Sequence, residues 1–334
     1  MSAPAPEIVV ITGKGGTGIA LRPCGQILCS RLRKDCCPVQ VAQINKICVV
    51  GAGAMGRQIA LCAALAGFRV VCQDISEQAR AGAERFKEQY LSDRVARGKM
   101  TEEKASQGRE NLLFTADLEQ AAGDADLVIE VVPEVLELKR QIFARLDQIC
   151  PPHTLLVTNS SFIVSSRLAG ATTRPEKICN MHFFVPPLVM LPVEVVKGPH
   201  TADETAQAVA EVCRRMGKLP IMLEKEIHGF LVNRILSAVH REALFLYDTG
   251  VASYEDIDRA VREGLGHQTP PFFQMDLIGL DLVLLIGREH YRETGDPLFK
   301  PSPTIVSMVA QGRLGRKTGR GFYDYSRMLE ERGY

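Results

Sequence analysis

The sequence has 334 residues, with 40 basic and 39 acidic side chains, and this balance gives no electrostatic reason to expect nucleic acid or an anionic membrane as a partner. No apolar run approaches the ~20 residues that span a bilayer, and the first residues lack the basic segment and apolar core of a signal peptide. The length allows two domains. Ten scattered cysteines favour reduced thiols in a cytoplasmic protein over a disulfide framework.

Residues 1–44 differ in character from the rest of the chain and predict an appended leader of unknown role. Residues 12–18 resemble the start of a phosphate-binding P-loop, but Ile19 and Ala20 stand where such a loop needs Lys followed by Ser or Thr. Nucleotide binding is therefore not expected there. The leader's cysteines at positions 24, 29, 36 and 37 match no common zinc spacing, so no metal site is predicted.

Residues 46–74 predict a dinucleotide-binding strand–helix–strand unit. The segment opens with an apolar strand, continues with Gly51-x-Gly53-x-x-Gly56 at the start of an apolar helix, and ends with a second strand. The first glycine permits a tight turn, the second lets the backbone approach a pyrophosphate, and the third lets helix and strand pack closely. The pyrophosphate would lie on the helix N-terminus, where free N–H groups favour an anion. NAD is the predicted cofactor, bound by Gly51, Gly53, Ala54, Met55 and Gly56.

Asp74 ends the second predicted strand, at about the 20-residue offset from Gly51 that suits a carboxylate on the adenosine ribose hydroxyls. A carboxylate there repels the 2′-phosphate of NADP, so the sequence predicts a preference for NAD. Because strand, glycines, helix, second strand and acid fall in register, this pattern is much more specific than a glycine triplet alone.

The sequence then alternates between helices and strands. Residues 75–99 predict a polar helix that ends in a basic group, Arg94, Arg97 and Lys99, each of which taken alone is most simply a solvated side chain. Strands are expected over 126–130 and 154–158. The helix between them is expected over 134–149, with Leu138, Ile142, Phe143 and Leu146 facing inward. Asn159, Ser160 and Ser161 follow the second of these strands, at the edge of the sheet where ligands bind in such folds.

Further strands are predicted over 178–184, 193–196 and 219–223, and a Thr201 capping box is expected to begin a helix that ends near residue 216. From Gly229 onward only helices are predicted, over 230–247, 254–263, 272–290 and 304–310. We therefore expect an α/β fold with a Rossmann-like, doubly wound, mostly parallel sheet over 45–225, followed by an all-α domain over 226–334. The long apolar helices of that domain predict a homodimer interface.

Six motifs then occur in a fixed order along residues 45–326, and together they resemble the L-3-hydroxyacyl-CoA dehydrogenases, most closely the short bacterial 3-hydroxybutyryl-CoA dehydrogenase type. After Gly51-x-Gly53-x-x-Gly56 they are Asn159-Ser-Ser161, His182-Phe-Phe-x-Pro-Pro, Val193-Glu-Val-Val196, Gly229-Phe-Leu-Val-Asn233-Arg234 and the tail from Gly315 to Tyr325. The resemblance implies NAD-dependent oxidation of a short-chain (S)-3-hydroxyacyl-CoA, or the reverse, in fatty acid β-oxidation or butanoate metabolism.

The chemistry agrees with this resemblance. Oxidation of a secondary alcohol requires a base for the hydroxyl proton, which a neutral histidine supplies near pH 7, and a carboxylate can orient the imidazole and stabilise the imidazolium. The resemblance assigns these roles to His182 and Glu194, whose simpler interpretations are a core histidine and a surface charge. It further places Ser161 and Asn233 on the reacting oxygen, Glu134, Lys139 and Asn159 on the cofactor, and Arg94, Arg97 and Lys99 on CoA.

Three departures from the family pattern affect the expected substrate. Val185 replaces the usual Asn after His-Phe-Phe, the usual Met-Lys-Leu before Val193 is Met-Leu-Pro, and residues 268–271 read Gln-Thr-Pro-Pro instead of Pro-Met-Gly-Pro. Two alternatives therefore stay open. One is a dehydrogenase of a hydroxy acid without CoA, such as a sugar acid, and the other is a non-catalytic NAD-binding structural protein like the lens crystallins of this family.

Overall fold

The computed structural model describes residues 44–326, so the leader with its P-loop-like segment and four cysteines lies outside the described residues. An eight-stranded sheet forms the first part of this region, in the spatial order β3-β2-β1-β4-β5-β6-β7-β8. The strands are β1 (Lys46–Val50), β2 (Arg69–Gln73), β3 (Leu112–Thr115), β4 (Leu127–Glu130), β5 (Leu155–Thr158), β6 (Ile178–Phe183), β7 (Pro192–Val196) and β8 (Leu219–Leu223).

The sheet is mostly parallel and doubly wound. Strands β1 to β6 run in one direction, whereas β7 pairs antiparallel with β6 and β8 runs parallel to β7. The strand order reverses between β1 and β4, and ligands of such sheets bind in the crevice beyond the carboxyl ends at that point. The predicted Rossmann-like fold class is confirmed.

Seven helices of the described region flank this sheet. They are α1 (Gly56–Leu65), α2 (Glu77–Ala96), α3 (Glu102–Glu110), α4 (Leu118–Ala122), α5 (Leu136–Ile149), α6 (Ser166–Ala169) and α7 (Asp203–Arg215). Strand β1 shows why both faces need a cover, because Ile47 and Val49 join a core with α1, α2, α3 and α7, whereas Cys48 and Val50 join a core with α4, α5 and α6. An apolar run without polar alternation thus becomes a central strand buried on both faces.

The sequence after Gly229 folds into helices with a separate core. They are α8 (Val232–Asp248), α9 (Tyr254–Leu265), α10 (Pro271–Ile278), α11 (Leu280–Thr294) and α12 (Pro303–Ala310). Aromatic rings dominate this core, and Phe272 and Phe322 meet edge to face with centroids 4.7 Å apart. None of the helices between residues 44 and 326 is long and apolar enough to cross a membrane.

Several sequence predictions are wrong in detail. The single helix expected over 272–290 is two helices, because Gly279 adopts a φ of +103° between α10 and α11. Leu138 is exposed rather than inward. Thr201 does not cap α7, since its hydroxyl donates to the Ile178 carbonyl and the N-cap position is Ala202. Strand β3 and helices α3 and α4 were not predicted.

Candidate active site

The glycine turn between β1 and α1 is open where a pyrophosphate would lie. Gly51 has a φ of +109°, and a Cβ on it would come within 2.8 Å of the Val131 carbonyl oxygen. A Cβ on Gly56 would lie 1.8 Å from the Gly51 oxygen, so neither position admits a side chain. A Cβ on Gly53 would meet no atom within 4 Å, which leaves room directly over the exposed backbone of Gly53 and Ala54. Met55 is the N-cap residue of α1, so the helix begins at this opening and presents its free N–H groups there.

Asp74 lies beside that turn at the end of β2. Its Oδ2 accepts a hydrogen bond from the Ala52 amide at 2.8 Å, and its Oδ1 accepts one from the Ser76 amide at 2.8 Å. These bonds hold the Asp74 carboxylate against the Ala52 amide, in the turn between Gly51 and Gly53. Because each carboxylate oxygen has a further lone pair, the group can still accept from ribose hydroxyls. The geometry of the turn and of Asp74 therefore fits the adenosine and pyrophosphate parts of NAD.

Glu134 lies in the turn before α5, not within the helix as predicted, and it organises the loop after β5. Its Oε1 accepts hydrogen bonds from the Ser160 hydroxyl and from the amides of Phe162 and Ile163 at 3.0 and 3.2 Å. Partial burial raises the pKa of Glu134, but Lys139 and these three donors outweigh burial and hold the pKa below its ordinary value. A charged Glu134 therefore fixes the loop that carries Ser161.

Lys139 is neither a solvated lysine nor turned to an open cleft. Its side chain is buried, and its ammonium lies 2.7 and 3.0 Å from the two carboxylate oxygens of Glu130, 3.2 Å from the Val132 carbonyl and 3.4 Å from Glu134. The predicted contact of Lys139 with the cofactor stays a prediction; in the structure these partners take up the donors of its ammonium. Lys139 links the end of β4 to Glu134.

Glu130 is a site residue that the sequence did not suggest. It is fully buried at the end of β4, and it accepts from Lys139, from the Thr158 hydroxyl at 2.7 Å and from the Val132 amide at 2.7 Å. An acidic residue at the end of an otherwise apolar strand is the signal that could have identified it, since a buried carboxylate requires a partner.

Asn159 joins the ends of β5 and β6. Its side-chain Oδ1 accepts a hydrogen bond from the Phe183 backbone amide at 2.8 Å, and its backbone amide donates to the Glu130 backbone carbonyl at 2.9 Å. It is half-buried, and its side-chain NH₂ group and the second lone pair of Oδ1 are available for the predicted cofactor contact. The immediate effect of Asn159 is to bring Ser161 and His182 to the same edge of the sheet.

Ser161, His182 and Glu194 form a continuous chain of hydrogen bonds. The Ser161 hydroxyl is 3.0 Å from His182 Nε2, and His182 Nδ1 is 2.8 Å from Glu194 Oε2. The sheet sets this pair, because His182 and Glu194 face each other in the antiparallel register of β6 and β7. Both side chains are buried, with 3% and 0% exposure. A charged carboxylate can only accept, so Nδ1 carries the hydrogen and Nε2 keeps a lone pair that can accept a proton.

Glu194 also holds the start of the helical domain. Its Oε1 accepts from the amides of Leu231 and Val232, both at 3.0 Å, at the N-terminus of α8. The N-cap residue, Leu231, has no side-chain acceptor, so Glu194 supplies the missing acceptor from the sheet. The same carboxylate therefore orients the histidine and positions Asn233, the next residue of α8. The sequence gives no sign of this double role, which depends on how the helix meets β7.

Aromatic rings enclose the histidine. The ring of Phe184 lies 4.9 Å and that of Phe230 lies 5.4 Å from the His182 ring, centroid to centroid. Phe230 is fully buried and has a φ of +50°, a strained conformation for a phenylalanine, directly after Gly229 at +74°. This turn places an apolar ring against the imidazole and excludes water from that face.

Asn233 lies beside the hydrogen-bonded chain but is not part of it. The half-buried side chain makes no hydrogen bond with any described residue, so its amide can bind a ligand. Together with Phe162 and Gly229 it lines a cavity of about 110 Å³. Val185 lies in the loop after β6 and is exposed, so an asparagine would fit there without disturbing the core.

The predicted CoA contacts Arg94, Arg97 and Lys99 are not brought to the reacting centre. They lie at the C-terminal end of α2, a 20-residue helix that spans about 30 Å and starts just after Asp74. The Arg94 guanidinium lies 5.7 Å from the centroid of the Tyr90 ring, whereas Arg97 and Lys99 are exposed.

Comparison with known proteins agrees with this geometry. Residues 46–227 match the model of the 3-hydroxyacyl-CoA dehydrogenase NAD-binding domain, and residues 229–325 match that of the 3-hydroxyacyl-CoA dehydrogenase C-terminal domain. The chain is 39% identical to a probable 3-hydroxybutyryl-CoA dehydrogenase of Bacillus subtilis, over 85% of this chain and 98% of that protein.

Two further relatives extend this result. The mitochondrial hydroxyacyl-coenzyme A dehydrogenase of Rattus norvegicus is 37% identical over 84% of this chain and 91% of its own length. The crystal structure of (S)-3-hydroxybutyryl-CoA dehydrogenase from Ralstonia eutropha superposes with a TM-score of 0.80 at 36% identity, over 85% of this chain and 99% of that one. This chain therefore belongs to the 3-hydroxyacyl-CoA dehydrogenase family, as an oxidoreductase that uses NAD.

Proposed function

We propose that this chain oxidises an (S)-3-hydroxyacyl-CoA to the 3-oxoacyl-CoA, or catalyses the reverse reduction, with Ser161, His182, Glu194 and Asn233 at the reacting centre. The observation that carries the proposal is the buried chain of hydrogen bonds from Ser161 through His182 to Glu194. Glu194 keeps the hydrogen on His182 Nδ1, so Nε2, next to the Ser161 hydroxyl, can accept a proton. A base that oxidises an alcohol requires this arrangement.

In oxidation, His182 Nε2 takes the proton of the substrate's C3 hydroxyl while the C3–H bond breaks and the C3–O bond becomes a carbonyl. Glu194 keeps Nδ1 protonated and stabilises the imidazolium that forms, because it lies 2.8 Å away in a buried site. In reduction, the same histidine returns the proton to the oxygen. Ser161, hydrogen-bonded to Nε2, directs the reacting oxygen toward the histidine.

NAD, when bound, accepts the hydride that leaves C3 with its electron pair. In our proposal Gly51, Gly53, Ala54, Met55 and Gly56 hold its pyrophosphate, Asp74 its adenosine ribose, and Glu134 and Asn159 the side nearer to Ser161. Lys139 acts through Glu134, as its buried position supports. The Asn233 amide donates to the reacting oxygen, which is the role that its open hydrogen-bonding capacity supports.

The CoA phosphates are assigned to the basic group of Arg94, Arg97 and Lys99. The exposure of Arg97 and Lys99 supports this assignment, since surface cations can reach phosphates from solvent. A position away from Ser161, His182 and Glu194 is compatible with CoA, because the phosphates of CoA are far from its thioester.

The chain is proposed to act as a homodimer in a reducing, cytoplasmic compartment. Apolar side chains on α8 and α11 are exposed in the single chain, and burial against a second copy would remove them from water; they are Ile235, Phe245, Leu282 and Leu285. Light scattering of the purified protein measures the oligomeric state.

The six cysteines between residues 44 and 326 are buried free thiols, which supports a reducing compartment, and burial raises the pKa of Cys48, Cys72 and Cys179.

The test is NADH formation across matched panels of (S)-3-hydroxyacyl-CoA thioesters and free hydroxy acids. We expect turnover only with the thioesters, and free CoA should compete with them. Turnover of free hydroxy acids with no inhibition by CoA would instead identify a dehydrogenase of a non-CoA substrate. NAD binding with no turnover of any compound would identify a structural protein, a result that the intact hydrogen-bond chain argues against.

A further inference from the structure

The cavity beside Asn233 has a charged lining. Phe162, which follows Ser161, and Asn233 form part of its wall, so it adjoins the reacting centre. Arg234 and Arg241, which lie on the same face of α8 about two helical turns apart, contribute to the same wall. Arg241 is half-buried, whereas Arg234 is exposed at the rim. A site for a plain hydrocarbon chain would be lined by apolar side chains, because a partly buried cation loses water without gaining a partner.

Neither of these two guanidinium groups has a carboxylate partner within residues 44–326. Arg241 only approaches the ring of Phe299, with 5.6 Å from its Cζ to the ring centroid. Other arginines of the described region are paired, for example Arg174 with Asp147 at 2.8 Å and Arg109 with Glu88 at 2.9 Å. Two like charges on one small cavity repel each other, and an anion between them would reverse the sign of that interaction.

A row of four rings forms another part of the wall. Phe162, His228, His290 and Phe299 follow one another with centroid distances of 5.5, 4.0 and 3.6 Å. Flat rings restrict access of water, and a lower local dielectric strengthens the attraction of the arginines for an anion. Contact of the Arg241 guanidinium with a ring leaves its N–H edge able to bind a carboxylate through two hydrogen bonds.

We propose that this cavity is a subsite for a carboxylate at the far end of the acyl group, so that the substrate class is a 3-hydroxyacyl thioester of a dicarboxylic acid. This inference rests on the proposed function. A cavity of about 110 Å³ is much larger than the ~10–15 Å³ that one water molecule needs on the same measure, so it has room for a carboxylate. A methyl-terminated chain would fill the same space and leave the half-buried Arg241 without a carboxylate partner, which penalises its binding.

The experiment compares two thioesters of equal chain length, (S)-3-hydroxyadipyl-CoA and (S)-3-hydroxyhexanoyl-CoA, with the full chain and NAD. We expect kcat/KM to be at least about tenfold higher for the dicarboxylic substrate, since hydrogen bonds to a charged group discriminate by about 10–100-fold. Arg241→Met should lower that preference ratio by about the same factor, and Arg241→Lys should keep part of it. Arg259→Met, an exposed arginine outside the cavity, is the control and should leave the ratio unchanged.

The possible results separate the explanations. A ratio near or below one in the unmutated protein, or a ratio that Arg241→Met does not change, would overturn the subsite. An equal loss of kcat/KM for both thioesters in Arg241→Met would mean that the arginine serves CoA or the fold, and would overturn it as well. If neither thioester is oxidised, the proposed function itself fails, and the subsite fails with it.

Discussion

Replacing Glu194 with Gln tests the link between the sheet and the histidine. The carboxylate has two tasks, because Oε2 lies 2.8 Å from His182 Nδ1 and Oε1 accepts the amides of Leu231 and Val232 at 3.0 Å. A glutamine has the same shape but only one accepting arm. If its oxygen caps α8, its NH₂ group faces Nδ1 and donates to it, so the imidazole must carry its hydrogen on Nε2. That tautomer cannot take the substrate's proton.

The expected effects on rate and on stability differ in size. A general base contributes about 10²–10⁴-fold to the rate, and we expect kcat of Glu194→Gln to fall within that range. Stability should change less. Two hydrogen bonds to a charged acceptor become bonds to a neutral one, at a loss of about 1 kcal/mol each, while the desolvation cost of a buried charge is removed. The net loss of unfolding free energy should therefore be about 2 kcal/mol or less.

The assay is NADH absorbance at saturating NAD and thioester, with urea unfolding and NAD titration on the same samples. Glu211→Gln, at a partly exposed glutamate on α7 that pairs with Arg214, is the matched control and should behave as the unmutated protein. The double variant His182→Gln with Glu194→Gln should be little worse than His182→Gln alone, because the two residues act as a unit. Near-full kcat in Glu194→Gln, or multiplicative losses in the double variant, would refute this assignment.

Three further predictions concern other parts of the chain. Asp74→Ala should weaken NAD binding and narrow the preference over NADP, and equal kcat/KM with both cofactors in the unmutated protein would contradict the role of this carboxylate. Deleting residues 1–43 should leave activity nearly intact while keeping Ile44, which is buried in the core; loss of NAD binding in a folded truncation, checked by circular dichroism, would place the leader in the site. Burial lowers the pKa of His240 from 6.5 to about 4, so the unfolded chain binds the extra proton first and stability should fall by up to about 3 kcal/mol between pH 6.5 and 4. His240→Gln should flatten that part of a urea-midpoint profile against pH, and an unchanged slope would refute the assignment.

The sheet could be predicted because its strands carry strong local signals. The run from Ile47 to Val50 is apolar on both faces, and the first glycine after it, Gly51, has a φ of +109° that favours glycine. The edge strand β3 was missed because Leu113 on it is exposed, so no run of buried residues marks it. The break at Gly279 was missed because Leu277, Ile278 and Leu280 continue the apolar pattern on both sides, and a glycine within a helix pattern only lowers its probability.

The sequence could predict which residues form the candidate site, but not the contacts that hold them. The motif order located Ser161, His182 and Glu194, and the structure brings these three together. The sequence could not show that Lys139 is buried against Glu130, because lysine is ordinarily exposed and its partner lies in another element. The contact between Glu194 and the start of α8 likewise depends on how two domains meet, which no local pattern encodes.

The most direct measurement of the proposed chemistry is kcat of His182→Gln with NAD and a saturating (S)-3-hydroxyacyl-CoA, taken with the dissociation constant for NAD. Glutamine keeps bulk and hydrogen bonding at a position within 3.0 Å of Ser161, but it cannot accept a proton. We predict that kcat falls by about 10²–10⁴-fold while NAD binding is retained. Near-full kcat of His182→Gln on every accepted substrate would contradict the assignment of His182 as the base.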